Sequence, residues 1–549
     1  MICDLLIKNG TIVDGTGKAK FIADVIVNAG KITKIGTGLS QDDKFQPRNL
    51  LDANGLIVCP GFIDIHSHND FAMPLEENDV LLSCLLEQGI TTMVGGNCGF
   101  SPAPLAQKPE NLDFVRTGSE FLYERPLSMN WDTMESYFKS LEENGIPLNL
   151  AQLVGHGTLR LSLWGRDFSY PGDEEMKDME SMIEESFEAG AFGVSLGLGY
   201  EPGMAVEPRE LDRVATCVKK SGKILTAHIK SLTRVSPAYK ISLLPGEDHS
   251  IKAMREYIEI GKRTGVKIHV SHLAFIGIKS WPSGDICIKM IEKAKSEGLD
   301  IAFDSIPYFF GNTIVTMPYP AWFLRNIDQN IKSPIAKMRL RFEWWMMFKM
   351  LGFTLDDLQL MYSAHPDMDK YNGKFFQEIA RDMKCSMMEA YLKITQLSKG
   401  KARCLLYKVS GDESNYDLVK KILPHPLNTF QTDAIISTKG LKNAAAFGTF
   451  PRIIQQYHKE WGLLALEETI ARMTGNSAKR MEIKDRGTIE EGKWADITIF
   501  DLNEIKDNTI KSNPEQKPSG IKFVYINGKE VVNNGAAIPG IKAGRVLRS

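Results

Sequence analysis

Between Lys223 and Phe309 five segments follow one another: "KILTAHIKS" (Lys223–Ser231), "SIKAMREYIEIGKRTG" (Ser250–Gly265), "VKIHVSHLA" (Val266–Ala274), "DICIKMIEKAKSEG" (Asp285–Gly298) and "DIAFDSIPYF" (Asp300–Phe309). The first, third and fifth are short apolar runs of strand length. The second and fourth carry apolar residues at helical spacing and end on a glycine. Strands separated by helices must run parallel, because a parallel neighbour is reached only through a crossover.

The alternation extends upstream. "GITTMVGGNCGF" (Gly89–Phe100), "LNLAQLVGHGTL" (Leu148–Leu159) and "AFGVSLGLGY" (Ala191–Tyr200) read as strands. "DVLLSCLLEQG", "DEEMKDMESMIEESFEAG" and "EPRELDRVATCVKKSG" read as helices among them. So many units favour a closed (β/α)8 TIM-type barrel over an open sheet, with the chemistry at the C-terminal ends of its strands. After "FFGNTIVTMPYP" (Phe309–Pro320) the pattern breaks, and about 325–405 reads as a helical insertion late in the barrel. Its Trp344, Trp345, Met346 and Met347 are expected to pack that insertion. The barrel resumes with "ILPHPLNTFQTDAI" (Ile422–Ile435) and closes with the helix "LALEETIARMTGNSAKRM".

Both ends of the chain are strand-rich. "CDLLIKNGTIVDG" carries an Asn9-Gly10 turn signal, "ADVIVNAGKITKIG" a second at Asn28-Ala29-Gly30, and "IKFVYINGKEVVNNG" a third at Asn527-Gly528. The expected organisation is a small β-domain from residues 1–57 and 485–549 around a barrel over 58–484.

The 66 Lys and Arg residues nearly balance 68 Asp and Glu. That leaves no bulk charge to draw nucleic acid or an anionic membrane, so a small-molecule substrate is the expected partner. No apolar run reaches membrane-span length, and the acidic start "MICDLLIKNG" is unlike a signal peptide; a cytoplasmic protein is expected. The eight cysteines are scattered without a CxxC pair and are expected to be reduced.

Polar residues of one chemical kind gather at the strand ends. His66 and His68 stand in "PGFIDIHSHND" and Cys98 follows the second strand. His228 ends "LTAH", His272 ends "HVSH" and Asp433 follows the last strand in "TFQTD". Imidazole, thiolate and carboxylate are the donors a divalent transition metal takes, and six such coincidences of position point to a metal site. His269, at an odd spacing from His272, should face away, and His156 is read as structural or supporting. No GxSxG elbow offers a competing nucleophile.

"PGFIDIHSHND", "GITTMVGGNCGFSPAP", "VGHGTLR", "GAFGVSLGLGYEPG", "AHIK", "VSHLA", "FGTFPRII" and "KDRGTIEEGKWADITIFD" together resemble the amidohydrolase superfamily. Within it they are similar to the D-aminoacylase group of N-acyl-D-amino-acid deacylases. The resemblance implies a (β/α)8 barrel with a β-sandwich built from both termini, and Zn2+-dependent hydrolysis of an amide C–N bond. It implies His66 and His68 at one metal position and Cys98, His228 and His272 at the other, tighter one; whether a second metal binds is left open. It further implies Asp433 as general base and acid, substrate contacts from Tyr200, Tyr308 and Lys230, and a homo-oligomer by the habits of the superfamily.

The group's carboxylate contacts are missing. Its lysine two residues after the last histidine is Ala274, and its arginine ahead of the "GTFPR" segment aligns with Ala445. Either Lys230, Arg234, Lys279 or Lys442 replaces them, or the substrate is a cyclic amide or another carboxylate-free molecule. A non-catalytic scaffold is the third reading, opposed by retention of all six site residues.

Overall fold

The computed structural model describes residues 2–106, 108–122, 127–165, 167, 169–239 and 246–549. Eight parallel strands form the barrel: β1 (Phe62–Asp64), β2 (Ile90–Gly95), β3 (Asn149–Gly155), β4 (Gly193–Gly197), β5 (Ile224–His228), β6 (Lys267–Val270), β7 (Ile301–Ser305) and β8 (Asn428–Phe430). Just past their ends, Asp433 N–H donates to the His66 carbonyl (3.0 Å) and His68 N–H to that of Ala434 (3.1 Å), joining β8 to β1. The first and last site segments are thereby tied together directly.

The outer helices form for local reasons. Asp173–Glu188 has Asp173, Glu174 and Glu175 in its first turn, against the positive end of the helix dipole. Pro208–Lys220 starts with Pro at a position whose N–H would be unpaired anyway, and ends in Lys219 and Lys220. Their apolar faces cover the outward residues of the strands, among them Val194, Leu196, Leu225 and Val270, in one continuous core.

A nine-stranded sheet takes strands from both termini. Ile57–Pro60 pairs with Ile2–Ile12 and, antiparallel, with Ile497–Phe500. It then runs into β1 through Gly61, where a Cβ would lie 2.2 Å from Thr91. Two of the three turn signals make hairpins: Phe21–Asn28 with Lys31–Gly36, and Ile521–Ile526 with Lys529–Asn533. The Asn9-Gly10 signal does not. Ile2–Ile12 continues as one strand with an irregularity between Ile7 and Gly10, and Asn9 at φ 59° turns its N–H to Asp24. A left-handed Asn-Gly serves a bulge as well as a turn, and here the partner strand lies alongside on both sides of it.

The chain between β7 and β8 carries more than helices. Phe310–Ile314, Leu358–Tyr362 and Arg403–Tyr407 form a three-stranded antiparallel sheet, with Arg403–Tyr407 central. Helices Pro334–Leu351, Phe376–Met383 and Met387–Leu397 pack on a separate core around Phe323, Leu340, Trp344, Phe376 and Tyr391. Trp344 packs as expected, donating from Nε1 to the Pro318 carbonyl at 2.7 Å. Trp345 does not: it faces solvent. All eight cysteines are free, and all but Cys385 are buried. Among the described residues, no helix is long and apolar enough to cross a membrane.

Candidate metal centre

Each site residue leaves the C-terminal end of a barrel strand, and three do so in an unusual backbone conformation. Cys98 (φ 53°), His272 (φ 33°) and Asp433 (φ 48°) all lie in the left-handed region. Such geometry costs on the order of 1–3 kcal/mol per residue for a side chain bearing a Cβ, and the surrounding fold must hold it in place. It turns all three side chains back over the barrel mouth.

There the donor atoms converge. Cys98 Sγ lies 3.3 Å from His66 Nε2, 3.3 Å from His272 Nε2 and 3.9 Å from His228 Nδ1. His228 Nδ1 is 2.9 Å from His272 Nε2. Asp433 Oδ1 is 3.3 Å from His68 Nε2 and 3.6 Å from His66 Nε2. Among the described residues two groups can each hold an ion, with ligand atoms within 4.8 Å of one another: His66, Cys98 and His272, and His66, His68 and Asp433. Metal bonds of about 2.3 Å to sulfur and 2.1 Å to nitrogen, set tetrahedrally, leave roughly 3.3–3.6 Å between donors. The residues present therefore fit a transition metal. The expected division into two positions is not clean, because His66 Nε2 belongs to both groups.

Electrostatics follow from this crowding. Burial opposes the Cys98 thiolate, but the imidazoles of His66 and His272 hold its pKa well below the ordinary thiol range. Burial likewise opposes the Asp433 carboxylate, and the hydrogen bond from His68 with the charges of His66 and His272 brings its pKa below the usual value.

Supporting residues hold the donors. Asp304, on β7, accepts from His272 N–H (2.6 Å) and contacts His269 Nε2 (2.9 Å). Its Oδ2 is 3.6 Å from His66 Nδ1. Asp64 accepts from Thr432 N–H at 2.9 Å, fixing the turn before Asp433. His269 stands outside both donor groups, but not by facing away: β6 ends at Val270, the alternation stops, and its ring reaches Asp304 inside the barrel. Asp304 was missed from sequence because a lone aspartate in "DIAFDSIP" carries no motif; inward alternation from the end of β7 was the available signal. Gly197 lets β4 approach closely, since a Cβ there would lie 2.2 Å from the Cys98 carbonyl.

An amidohydrolase family profile matches residues 414–532. The N-acyl-D-glutamate deacylase of Alcaligenes xylosoxydans xylosoxydans is 30% identical over 553 residues, covering 99% of this chain and 96% of that protein. The chain belongs to the amidohydrolase family. The D-aminoacylase of the same organism is 28% identical over 99% of the chain and 97% of its own. The crystal structure of N-acyl-D-glutamate deacylase from Bordetella bronchiseptica, complexed with zinc and a phosphonate inhibitor, superposes with a TM-score of 0.81 at 29% identity, covering 100% of both chains.

This amidohydrolase places the remaining expected residues unevenly. Tyr200 borders the centre: its hydroxyl donates to the Cys98 carbonyl (2.7 Å) and its ring meets His228 edge-on at 4.9 Å. Tyr308 lines a small cleft with His272, Leu273, Ala274, Ser305 and Val409, but its hydroxyl is bound to Asp507 at 2.9 Å. Lys230 lies over the Tyr239 ring, with its ammonium 5.3 Å from the ring centroid. Arg234 pairs with Asp248 and Lys442 with Glu515, while Lys279 is exposed beside Gly352. Ala445 sits in an apolar cluster with Tyr308, Phe310 and Met361. None of the described residues lining the cleft beside Ala274 is a lysine or an arginine. His156 is bound to Glu210 at 2.8 Å in a buried cluster with Arg160.

Proposed function

We propose that this amidohydrolase removes the acyl group from N-acyl-D-amino acids by hydrolysing the amide C–N bond, with Asp433 as base and acid and zinc as the metal. One observation carries the reading: His66, His68, Cys98, His272 and Asp433 meet at the mouth of the barrel in two groups of metal-competent donors. The likeness to the two deacylating relatives and to a zinc-complexed structure supports it. Cys98, His228 and His272 would hold the tighter position, with His66 and His68 at the second and His66 within reach of both. Thiolate with imidazole is a donor set suited to zinc.

When bound, the metal supplies the Lewis acidity that activates water near neutral pH and polarises the substrate carbonyl. Asp433 takes the proton from the attacking water and returns it to the nitrogen as the C–N bond breaks, leaving a carboxylic acid, which then ionises, and an amine. Tyr200 braces the backbone of Cys98, so the left-handed turn that aims the thiolate stays closed. Asp304 fixes His272 through its backbone and faces the outer nitrogen of His66.

A second reading keeps this chemistry and changes the substrate. The cleft beside Ala274, which no lysine or arginine lines, favours a molecule without a carboxylate there, such as an amide or a cyclic amide, because a buried carboxylate without a strong cation is costly. The test is amine release from paired D and L N-acyl amino acids and their amides, with Asp433→Asn as the blank. Turnover of the D acids, lost in the variant, supports the first reading. Turnover of the amides alone supports the second, and amine release that survives in Asp433→Asn overturns the role of that residue.

A further inference from the structure

We propose that the insertion between β7 and β8 carries a docking face for an anionic lipid surface, formed by one side of helix Pro334–Leu351. This goes beyond the hydrolase reading and does not depend on it. The apolar residues of the helix divide between two sides. Leu340, Trp344 and Leu351 are buried in the insertion core. Ile335, Met338, Phe342 and Trp345 are 75%, 69%, 60% and 58% exposed. At 3.6 residues per turn these four fall within a sector of about 80°, so they form one stripe and not scattered exposures. Phe342 and Trp345 stack on each other with ring centroids 6.0 Å apart.

The charges around the stripe select the partner. The helix holds four basic residues, Lys337, Arg339, Arg341 and Lys349, against one acidic residue, Glu343. Arg339 and Arg341 fall on opposite borders of the stripe. Lys349 sits 5.1 Å over the Trp345 ring, and Glu343 is already held by Arg339. An apolar stripe of Trp, Phe, Met and Ile edged by Arg and Lys is the composition of a helix lying in a lipid interface, where rings enter the acyl boundary and cations meet headgroup phosphates. A second copy of the chain is a poorer occupant: a two-fold contact of this stripe with itself would bring the cations Arg341 and Lys349 against the same cations of the copy, with Glu343 already held by Arg339. The near-neutral balance of the whole chain conceals this local excess.

The end of the helix is tied to the loop that follows His272, where Ile278 N–H donates to the Gly352 carbonyl (3.4 Å).

The experiment is co-sedimentation of the full chain with vesicles of phosphatidylcholine alone and of phosphatidylcholine mixed with phosphatidylglycerol. Binding to the mixed vesicles that weakens with salt is expected, with a blue shift in tryptophan emission that Trp345→Phe removes. Phe342→Asp and the pair Arg341→Glu with Lys349→Glu should each lower binding by about tenfold or more. All these positions are exposed, and an unchanged melting temperature and amine release will show the variants to be folded. Failure to bind the mixed vesicles overturns the proposal, as does binding that ignores phosphatidylglycerol. A dimer in solution that Phe342→Asp dissociates would assign the face to a second copy and overturn it equally.

Discussion

The carboxylate of Asp304 lies 3.6 Å from Nδ1 of His66, the ring nitrogen opposite the one that meets Cys98. That is too long for a hydrogen bond and short enough for ion-pair attraction. A carboxylate behind a ligating imidazole fixes its orientation and raises its basicity. Burial alone would favour the neutral acid, yet His66 and His269 hold Asp304 below the usual carboxylate range, so it stays charged. Asp304→Asn is expected to fold and to lose metal affinity by about 10–100-fold, measured by chelator competition.

Asp433 has the opposite signature. Its removal should spare the Cys98 group of donors and stop turnover. We expect Asp433→Asn to retain the tighter metal and to lose about 10²–10⁴-fold in kcat, checked by metal content and amine release on one preparation.

The cleft beside Ala274 makes a testable statement about specificity. Placing a cation there should favour substrates with a free carboxylate. Ala274→Lys is expected to raise the acid-to-amide ratio of kcat/KM by roughly 10–150-fold, the value of one hydrogen bond to a charged group. An unchanged ratio would mean that the substrate tail lies elsewhere.

Glu210, paired with His156 and Arg160, sets a pH dependence of its own. Burial raises its pKa, but His156 and Arg160 outweigh burial and hold it below the ordinary 4.5. A depressed carboxylate adds stability above its ordinary value, and that contribution disappears as the pH falls through the depressed one. The melting temperature should therefore decline more steeply below pH 4.5 in the native chain than in Glu210→Gln. At neutral pH the variant leaves Arg160 buried without its counter-charge and should lose about 3–5 kcal/mol, measured by denaturant unfolding.

The barrel was legible because apolar runs and amphipathic segments alternate with clear glycine stops from Gly89 to Phe309. Convergence of His66, Cys98, His228, His272 and Asp433 was legible because all leave strand ends on the same side of the barrel. Three features were not. Asp304 is one aspartate inside an ordinary strand, and only its three-dimensional neighbours give it meaning. The strands "LQLMY" (Leu358–Tyr362) and "RCLLY" (Arg403–Tyr407) are too short to tell from buried helix by periodicity. Trp345 looked like core beside Trp344, because adjacent helical residues point about 100° apart and sequence does not say which one faces inward.

The link through Gly61 sets a schedule on the ribosome. His66 and His68 follow Ile57–Pro60, whose antiparallel partner is Ile497–Phe500. Gly61 N–H is itself held by the Asp496 carbonyl at 2.8 Å. More than four hundred residues are synthesised between the two sides of that clasp. The first pair of imidazoles therefore emerges early beside a strand already flanked by Ile2–Ile12, and that strand gains its second neighbour only after Ile497–Phe500 has been made.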